Sequence, residues 1–398
     1  MLLLNELAKP KYHGESIIKI ASSMYYVHEK SPVIDLANDL DKMKHIHSVG
    51  VVNDKMKVLG ILVRRELFDL LGKPYGQDIL KHKTVGSLMR PTTYFNYERN
   101  IFSVAGELEN YLSNRKIEYF LLTRDNNEFA GIFASIDMMI YLSTITQNDI
   151  NLARSLQANI VKDNTLVGKD NFSITGASKM AKEVGGDFYN IKNYKPGKWL
   201  VSICDVSGKG VSASLLTTSV SGMYHTFNFN ESVVMLIEKI NEYIFNSFEM
   251  QKFLTAAFID FKENTGEVVI YDMGHSYIYL LSNDRVSRLR SSNSNRPLGI
   301  ESGIDPKGCA LKLSAGDILI SITDGIIEQV NSKGIEFGEN RFASIIKENK
   351  HSGIAVMKDS LLSSLYLYRG TQPQHDDMTV VMIEYKGSTE EIKSNKSL

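Results

Sequence analysis

Aspartates that could bind metal ions stand at the ends of strand-like segments in the C-terminal half of the sequence. Asp187 lies in EVGGDFYNI, Asp205 ends the run LVSIC, Asp324 ends DILISIT, and Asp376 and Asp377 precede MTVVMIEY. One aspartate at a strand end usually serves as a turn residue or a helix cap. Several carboxylates gathered without basic partners repel one another, and a divalent cation removes that cost. Oxygen-only ligands suit Mg²⁺ or Mn²⁺ rather than Zn²⁺, so these residue types are typical of a two-metal site for phosphoryl transfer, provided that they converge.

The stretch VSGKGVS (206–212) has some of the letters of a phosphate-binding P-loop. That motif requires G-x-x-x-x-G-K-[ST], but Ile203 stands at the first glycine position and Gly210 follows the lysine. The glycines therefore predict a turn from strand to helix. His375, beside one of the aspartates, is either a general acid near a leaving group or a solvated loop residue. His275, in MGHSY, is predicted to pack at a strand turn.

Length and composition limit the class of protein. The chain has 398 residues, which predicts two or three domains, and 43% hydrophobic with 23% charged residues is typical of a globular protein. A net charge of −1 argues against a nucleic-acid partner. Cys204 and Cys309 lack metal-binding spacing and favour a reducing, cytoplasmic location. The first residues do not form a signal peptide, and the absence of a long apolar run predicts no membrane span.

An internal repeat occupies the N-terminal part. Residues 47–71 align with residues 118–142 at a constant offset of 71 and without gaps, so that Asp54 falls on Asp125, Gly60 on Gly131 and Glu66 on Asp137. Each copy reads as a strand, an Asp-led turn, a second strand that reaches a glycine, and a helix. A helix-like segment precedes each copy.

This repeat resembles a tandem pair of CBS domains over about residues 15–145. The resemblance implies β-α-β-β-α repeats, an adenosine nucleotide in the cleft between them, and association into a homodimer. The family's Ser/Thr-x-x-Asp pattern falls on Ala134 and Asp137, with Ser135 one place late, and on Val63 and Glu66 in the first copy. Ser135 and Asp137 are therefore the candidate nucleotide ligands, and the alternative is a regulatory or dimerising scaffold without a ligand.

We predict an α/β multi-domain chain. Its segments are an N-terminal tail at 1–14, the repeats at 15–78 and 79–145, a linker at 146–168, a catalytic domain at 169–386 and a disordered tail at 387–398. Residues 136–163 contain no Gly or Pro and predict one or two helices. This segment is either a passive spacer or a coupling helix in a dimer seam.

Six motifs of the C-terminal part occur in the order found in SpoIIE-type PPM phosphatases, the bacterial relatives of PP2C. They are EVGGDFYN, DVSGKGVSASLL, MGHSYIYLL, RPLGI, TDGIIEQVNSKGIEFGENRF and DDMTVVMIE. The resemblance implies a four-layer α-β-β-α sandwich that holds two Mn²⁺ or Mg²⁺ ions. It implies that the metal ligands are Asp187, Asp205, the carbonyl of Val206, Asp324 and Asp376, with Gly186, Gly325 and Asp377 beside them. Asn190 departs from the family's usual Asp.

The predicted function is hydrolysis of phosphoserine or phosphothreonine in proteins by a hydroxide that two metal ions activate, under the control of the CBS pair. The resemblance implies bacterial partner-switching signalling, with a phosphorylated STAS-type anti-sigma-factor antagonist as the substrate. The alternatives are a nucleotide-sensing docking module with little catalysis and a phosphatase for a small metabolite.

Overall fold

The computed structural model describes residues 3–113, 116–290 and 295–388, and the chain divides into compact units at Met1–Asn148 and Asp149–Leu398. The predicted disordered tail therefore lies, from residue 389 onward, outside the described residues. No helix in the part of the chain described is both long and apolar enough to span a bilayer.

The first unit is built from short strands and helices. In chain order they are β1 (Asn5–Glu6), β2 (Tyr25–His28), α1 (Val33–Lys42), β3 (Ser48–Val52), β4 (Val58–Val63), α2 (Arg64–Leu71), α3 (Gly76–Leu80), β5 (Tyr94–Asn96), α4 (Ile101–Glu107), α5 (Glu109–Leu112), β6 (Tyr119–Thr123), β7 (Phe129–Ala134) and the start of α6 (Ser135–Ala158). The residues of α6 after Asn148, including Gln157, belong to the second unit. One sheet has the order β1-β2-β3-β4 and another the order β5-β6-β7.

The sequence repeat is also a repeat of strand pairing. β2 pairs in parallel with β3, which pairs antiparallel with β4, and β5, β6 and β7 pair in the same way. The register shifts between Val51 and Val52 in the first copy and between Leu122 and Thr123 in the second, which preserves the offset of 71. Position 60 requires glycine for a steric reason, because a Cβ there would lie 2.6 Å from the carbonyl oxygen of Arg90.

The N-terminal segment is more ordered than a tail. β1 pairs antiparallel with β2, Leu4 is buried, and the backbone N–H of Leu3 donates to Asp39 at 2.7 Å. Leu4 joins the apolar cluster formed by α1, β3 and β4. The segment boundary at residue 14 stays a prediction, and within the segment Leu4 buries apolar surface that composition alone assigns to no element.

Helix α6 is one uninterrupted helix from Ser135 to Ala158. The polar stretch TITQND (144–149) does not break it, because it contains no Gly or Pro and its side chains are compatible with helical backbone. Of the two interpretations of this segment, the single helix is the one observed.

The second unit contains longer strands. After α6 they and their helices follow as β8 (Asn164–Lys169), β9 (Phe172–Lys179), β10 (Phe188–Lys195), β11 (Lys198–Val206), α7 (Val211–Thr226), α8 (Val233–Phe248), β12 (Leu254–Lys262), β13 (Glu267–Met273), β14 (Ile278–Ser282), β15 (Arg285–Arg288), β16 (Cys309–Lys312), β17 (Ile318–Ile322), α9 (Asp324–Glu328), α10 (Gly338–Glu348), α11 (Ile354–Arg369) and β18 (Met378–Tyr385).

These elements form an α-β-β-α arrangement. One sheet has the order β10-β11-β12-β13-β16 and the other the order β15-β14-β17-β18-β9-β8, with antiparallel pairing throughout. One apolar cluster lies between the sheets, a second joins α7 and α8 to the outer face of the first sheet, and a third joins α9, α10 and α11 to the second sheet.

Strand β11 shows how the sequence builds these layers. Its side chains alternate, so that Val201 and Ile203 enter the cluster between the sheets while Leu200 and Cys204 face the helices. Cys204 is fully buried, and burial raises the pKa of its thiol far above the usual range. Cys309, in β16, is exposed.

Candidate metal centre

The predicted aspartates come from the ends of strands in both sheets of the second unit. Asp187 precedes β10 and Asp205 lies near the end of β11, where Phe188 pairs with Cys204. In the other sheet Ile322 of β17 pairs with Val380 of β18, which brings the following Asp324 and the preceding Asp376 to the same end. Rigid strand ends position side chains accurately.

Asp205, Asp324 and Asp376 line one pocket of about 520 Å³, together with Val206 and Lys209. We call it the acidic pocket. Asp187 does not line it: its side chain is buried, and the hydroxyl of Thr323 donates to its Oδ2 at 2.7 Å.

The electrostatics of the pocket favour a cation. Burial raises the pKa of Asp187, and the charges of Asp205 and Asp377 raise it further. Burial, followed by the charges of Asp324 and Asp376, raises the pKa of Asp205 to about 7. The pKa of Asp324 is raised by burial and then by Asp376. In these carboxyls burial and mutual repulsion outweigh the charge of the neighbouring Lys209 ammonium. A divalent ion would supply the positive charge that is still missing.

The carboxylates are nevertheless not assembled into a complete binding group. Across residues 3–113, 116–290 and 295–388, no three His, Cys, Asp or Glu side chains are arranged so that they could hold a metal ion as they stand. Asp376 instead pairs with Lys209, whose Nζ lies 2.9 Å from its Oδ2 and donates to the carbonyl of His375 at 2.8 Å. The donor chemistry fits a divalent cation, and binding requires the carboxylates to draw closer than they lie here.

Asp377 has a different environment from its neighbour Asp376. Its Oδ2 accepts hydrogen bonds from the backbone N–H groups of Gly186 at 2.7 Å and Asp187 at 3.3 Å, and its Oδ1 accepts one from Ala181 at 2.7 Å. Both oxygens are thus engaged by backbone, so Asp377 fixes the loop that carries Asp187.

Glycines allow this close packing. A Cβ at Gly325 would lie 2.1 Å from the carbonyl oxygen of Asp377, and one at Gly186 would lie 3.0 Å from the carbonyl oxygen of Val206. The predicted carbonyl ligand and the loop of Asp187 therefore lie against each other, and any side chain at Gly325 would push α9 away from Asp377.

Sequence reasoning missed several residues around the site. Thr323 also accepts a hydrogen bond from the N–H of Thr379 at 2.9 Å and so links β17, β18 and Asp187. Gln157, buried near the end of α6, donates to the carbonyl of Gly185 at 2.7 Å and accepts from its N–H at 3.0 Å. Thr323 could have been noticed from its place before an aspartate, whereas no local signal distinguishes Gln157.

The two histidines have separate environments. His375 is exposed, and its backbone N–H donates to Gln329. His275 is buried, and burial lowers the pKa of its imidazole to about 4. Its backbone N–H donates to Asp272 at 2.8 Å, so His275 stands at a tight turn after β13.

The candidate nucleotide ligands lie in the first unit and already have internal partners. The hydroxyl of Ser135 accepts from the N–H of Glu118 at 3.2 Å. The carboxylate of Asp137 accepts from the N–H of Ala134 at 2.7 Å and from Ser22 at 2.5 Å. Neither side chain lines the pocket of about 720 Å³ between α1, α2 and α3.

Comparison with known proteins defines the class of the second unit. Residues 195–386 match the family model described as Stage II sporulation protein E (SpoIIE). The SiaA-PP2C domain of Pseudomonas aeruginosa superimposes with a TM-score of 0.52 at 17% identity, covering 61% of this chain and 98% of that domain. Residues 195–386 therefore form a SpoIIE/PP2C-type domain, and the second unit has the PP2C fold.

Two curated relatives come from Bacillus subtilis. Phosphoserine phosphatase RsbP is 20% identical over 246 residues, which are 61% of this chain and 59% of RsbP. Stage II sporulation protein E is 27% identical over 233 residues, which are 54% of this chain and 26% of that protein. The chain thus spans 59% of one relative and 26% of the other, which is less than two thirds of either.

Proposed function

We propose that this protein is a metal-dependent phosphatase that hydrolyses phosphoserine or phosphothreonine in proteins. The observation that carries the proposal is the convergence of Asp205, Asp324 and Asp376 on one pocket, with Asp187 buried beside it. The match of the domain to SpoIIE and its similarity to a protein named as a phosphoserine phosphatase support the substrate class.

We propose a role for each residue of the site. Asp187, Asp205 and the carbonyl of Val206 would hold one Mn²⁺ or Mg²⁺, and Asp205, Asp324 and Asp376 the other. Two such ions, when bound, activate a water molecule and stabilise the charge on the phosphoryl group. The chain itself orients Asp187 through Thr323, supports the loop of Asp187 through Asp377, and supplies Lys209 at the pocket wall.

The test is Mn²⁺-dependent release of phosphate from a phosphoserine peptide by the full chain. Asp205→Asn should abolish release, because it removes the carboxylate shared by both ions. Asp305→Asn is the matched control, since Asp305 is an exposed aspartate of the same unit that lies outside the pocket. Metal-independent release, or full activity of Asp205→Asn, would refute the proposal, and a panel of phosphorylated metabolites would identify the alternative substrate class.

For the first unit we propose a CBS-type regulatory role. The repeated strand pairing supports it, whereas the internal partners of Ser135 and Asp137 favour the scaffold without a ligand over an adenosine-nucleotide sensor. Titration of the full chain with AMP, ADP and ATP, followed by calorimetry, tests this choice. Binding that Asp137→Asn removes would restore the nucleotide-sensing interpretation.

We further propose a phosphorylated protein of the partner-switching type as the substrate and a homodimer as the active form. Support for the dimer comes from large apolar side chains exposed on α6: Ile140, Leu152 and Leu156 are each 59% exposed. Light scattering on the full chain tests the dimer, and the pair Leu152→Glu with Leu156→Glu should give a monomer if this surface is the contact.

A further inference from the structure

A second pocket adjoins the acidic pocket and has two arginines in its lining. Its volume is about 360 Å³, and its lining includes Arg288 and Arg290 together with Asp272, Ser276 and Asn295. We call it the arginine pocket. Gly274, Ser276 and Arg288 line both pockets, so the two are contiguous. A molecule whose phosphoryl group occupies the acidic pocket therefore places its neighbouring atoms beside two guanidinium groups.

Arg288 is held in place by its surroundings. Its Nε donates to the carbonyl of Ser276 at 2.9 Å, its Nη1 donates to Glu339 at 2.6 Å, and its guanidinium carbon lies 4.5 Å from the ring centre of Tyr277. These contacts leave Nη2 without a hydrogen-bond partner among the described residues. A planar guanidinium that is already oriented loses little entropy when it binds a carboxylate or a phosphate.

The other charged side chains of the two pockets are less available to an anion. Lys209 is engaged by Asp376 and the carbonyl of His375. Asp272 is negative, but its Oδ1 accepts the backbone N–H groups of His275 and Ser276 at 2.8 and 3.2 Å, which offsets part of its charge. Arg290 is exposed and has no ion pair among the described residues.

The charges of the acidic pocket explain why positive charge elsewhere would help the protein bind a negatively charged substrate. Two divalent cations would only neutralise the four carboxylates that hold them, so the bound phosphoester gains little from the net charge of that centre. Arg290 supplies positive charge at the mouth of the arginine pocket, and Arg288, which shares its charge with Glu339, offers its remaining N–H groups. We propose that Arg288 and Arg290 form a specificity subsite for an acidic side chain that flanks the phosphorylated residue of the substrate. This inference rests on the proposed phosphatase function and names its preferred substrate class.

The experiment compares phosphoserine peptides that differ by one residue. One Asp is moved through the positions on either side of the phosphoserine, and each peptide has an Asn counterpart. With Mn²⁺ and the full chain, the best-placed Asp should raise kcat/KM about tenfold over Asn through a lower KM, which is the size of one charge-assisted contact. The preference should shrink in high salt, because the subsite is open to solvent. A peptide with a second phosphoserine at that position distinguishes a carboxylate from a phosphate.

Variants separate the subsite from general effects of charge or stability. Arg290→Gln and Arg288→Gln should each reduce the Asp-over-Asn preference to about twofold. Arg285→Gln is the matched control, because Arg285 is an exposed arginine on the same strand, β15, outside both pockets. Because Arg288 also binds Glu339, its variant could unfold locally, and Arg290→Gln then decides the question.

A binding measurement distinguishes failure of the proposed phosphatase function from failure of the proposed arginine subsite. Fluorescence anisotropy with the Asp205→Asn protein should show the same preference for the Asp peptide without turnover. If no peptide is hydrolysed, the proposed function fails and this binding preference alone decides the subsite. Equal binding and equal kcat/KM for every Asp and Asn pair, or a preference that Arg290→Gln leaves unchanged, would overturn the inference.

Discussion

Asp376 and Asp377 are adjacent in the chain and differ in what surrounds their oxygens. Asp376 faces the acidic pocket and pairs with the Lys209 ammonium, while Asp377 accepts hydrogen bonds from the backbone N–H groups of Gly186, Asp187 and Ala181. A carboxylate that accepts several backbone N–H groups contributes to folding, and one that faces like charges costs stability until a cation binds.

Substitutions at these two positions should therefore have different effects on stability and on activity. Asp377→Ala should lower the free energy of unfolding by about 2–4 kcal/mol, because buried N–H groups lose their acceptor. Asp376→Asn should leave it almost unchanged and remove Mn²⁺-dependent activity. Urea denaturation of both variants in the absence of metal checks this, and equal destabilisation by the two would contradict the assignment.

The buried imidazole of His275 predicts a pH dependence of stability. Burial lowers its folded-state pKa to about 4 from an unfolded value of about 6.5. The unfolded chain therefore binds more protons in this window, so the stability present above pH 6.5 is lost as the pH falls toward 4. The loss between pH 6.5 and 5 is about 2 kcal/mol. Between the same two pH values, the free energy of unfolding of His275→Gln should fall by about 2 kcal/mol less than that of wild type. An equal fall in the two proteins would assign the pH dependence to other groups.

At the scale of elements, the end of α6 is joined to the loop of Asp187 by one side chain. Gln157 makes two hydrogen bonds to the backbone of Gly185, and all of these groups are buried. Gln157→Ala should cost about 1–3 kcal/mol and raise the Mn²⁺ concentration needed for activity, because Asp187 lies two residues from the released glycine. Ser155→Ala on the same helix is the control. Unchanged metal dependence in Gln157→Ala would show that α6 does not influence the site.

Much of the architecture could be predicted from patterns that depend on local spacing. The apolar runs of β11 and β18, the constant offset of the repeat and the absence of Gly and Pro in α6 are all patterns of neighbouring residues. β1 could not be predicted, because a strand of two residues is too short to show a hydrophobic periodicity. The contacts of Thr323, Lys209 and Gln157 escaped for a different reason: each depends on a partner far away in sequence, such as Asp376 for Lys209.

At the scale of the whole molecule, metal binding should stabilise the full chain. A ligand that binds only the folded state adds about 2.7 kcal/mol when its concentration is a hundred times the Kd. Saturating Mn²⁺ should therefore raise the Tm by several degrees in wild type and in Asp305→Asn, but not in Asp205→Asn. Differential scanning calorimetry checks this, and an equal rise in all three proteins would indicate binding elsewhere.

The two cysteines differ in burial, so the rate at which a thiol reagent modifies each of them reports on opening of the second unit. Cys204 is sealed inside the second unit next to Asp205, while Cys309 is exposed. A thiol reagent should modify Cys309 at once and reach Cys204 only when β11 separates from its neighbours. The slow phase of labelling thus times the opening of the strand that carries Asp205, and Mn²⁺ should lengthen it.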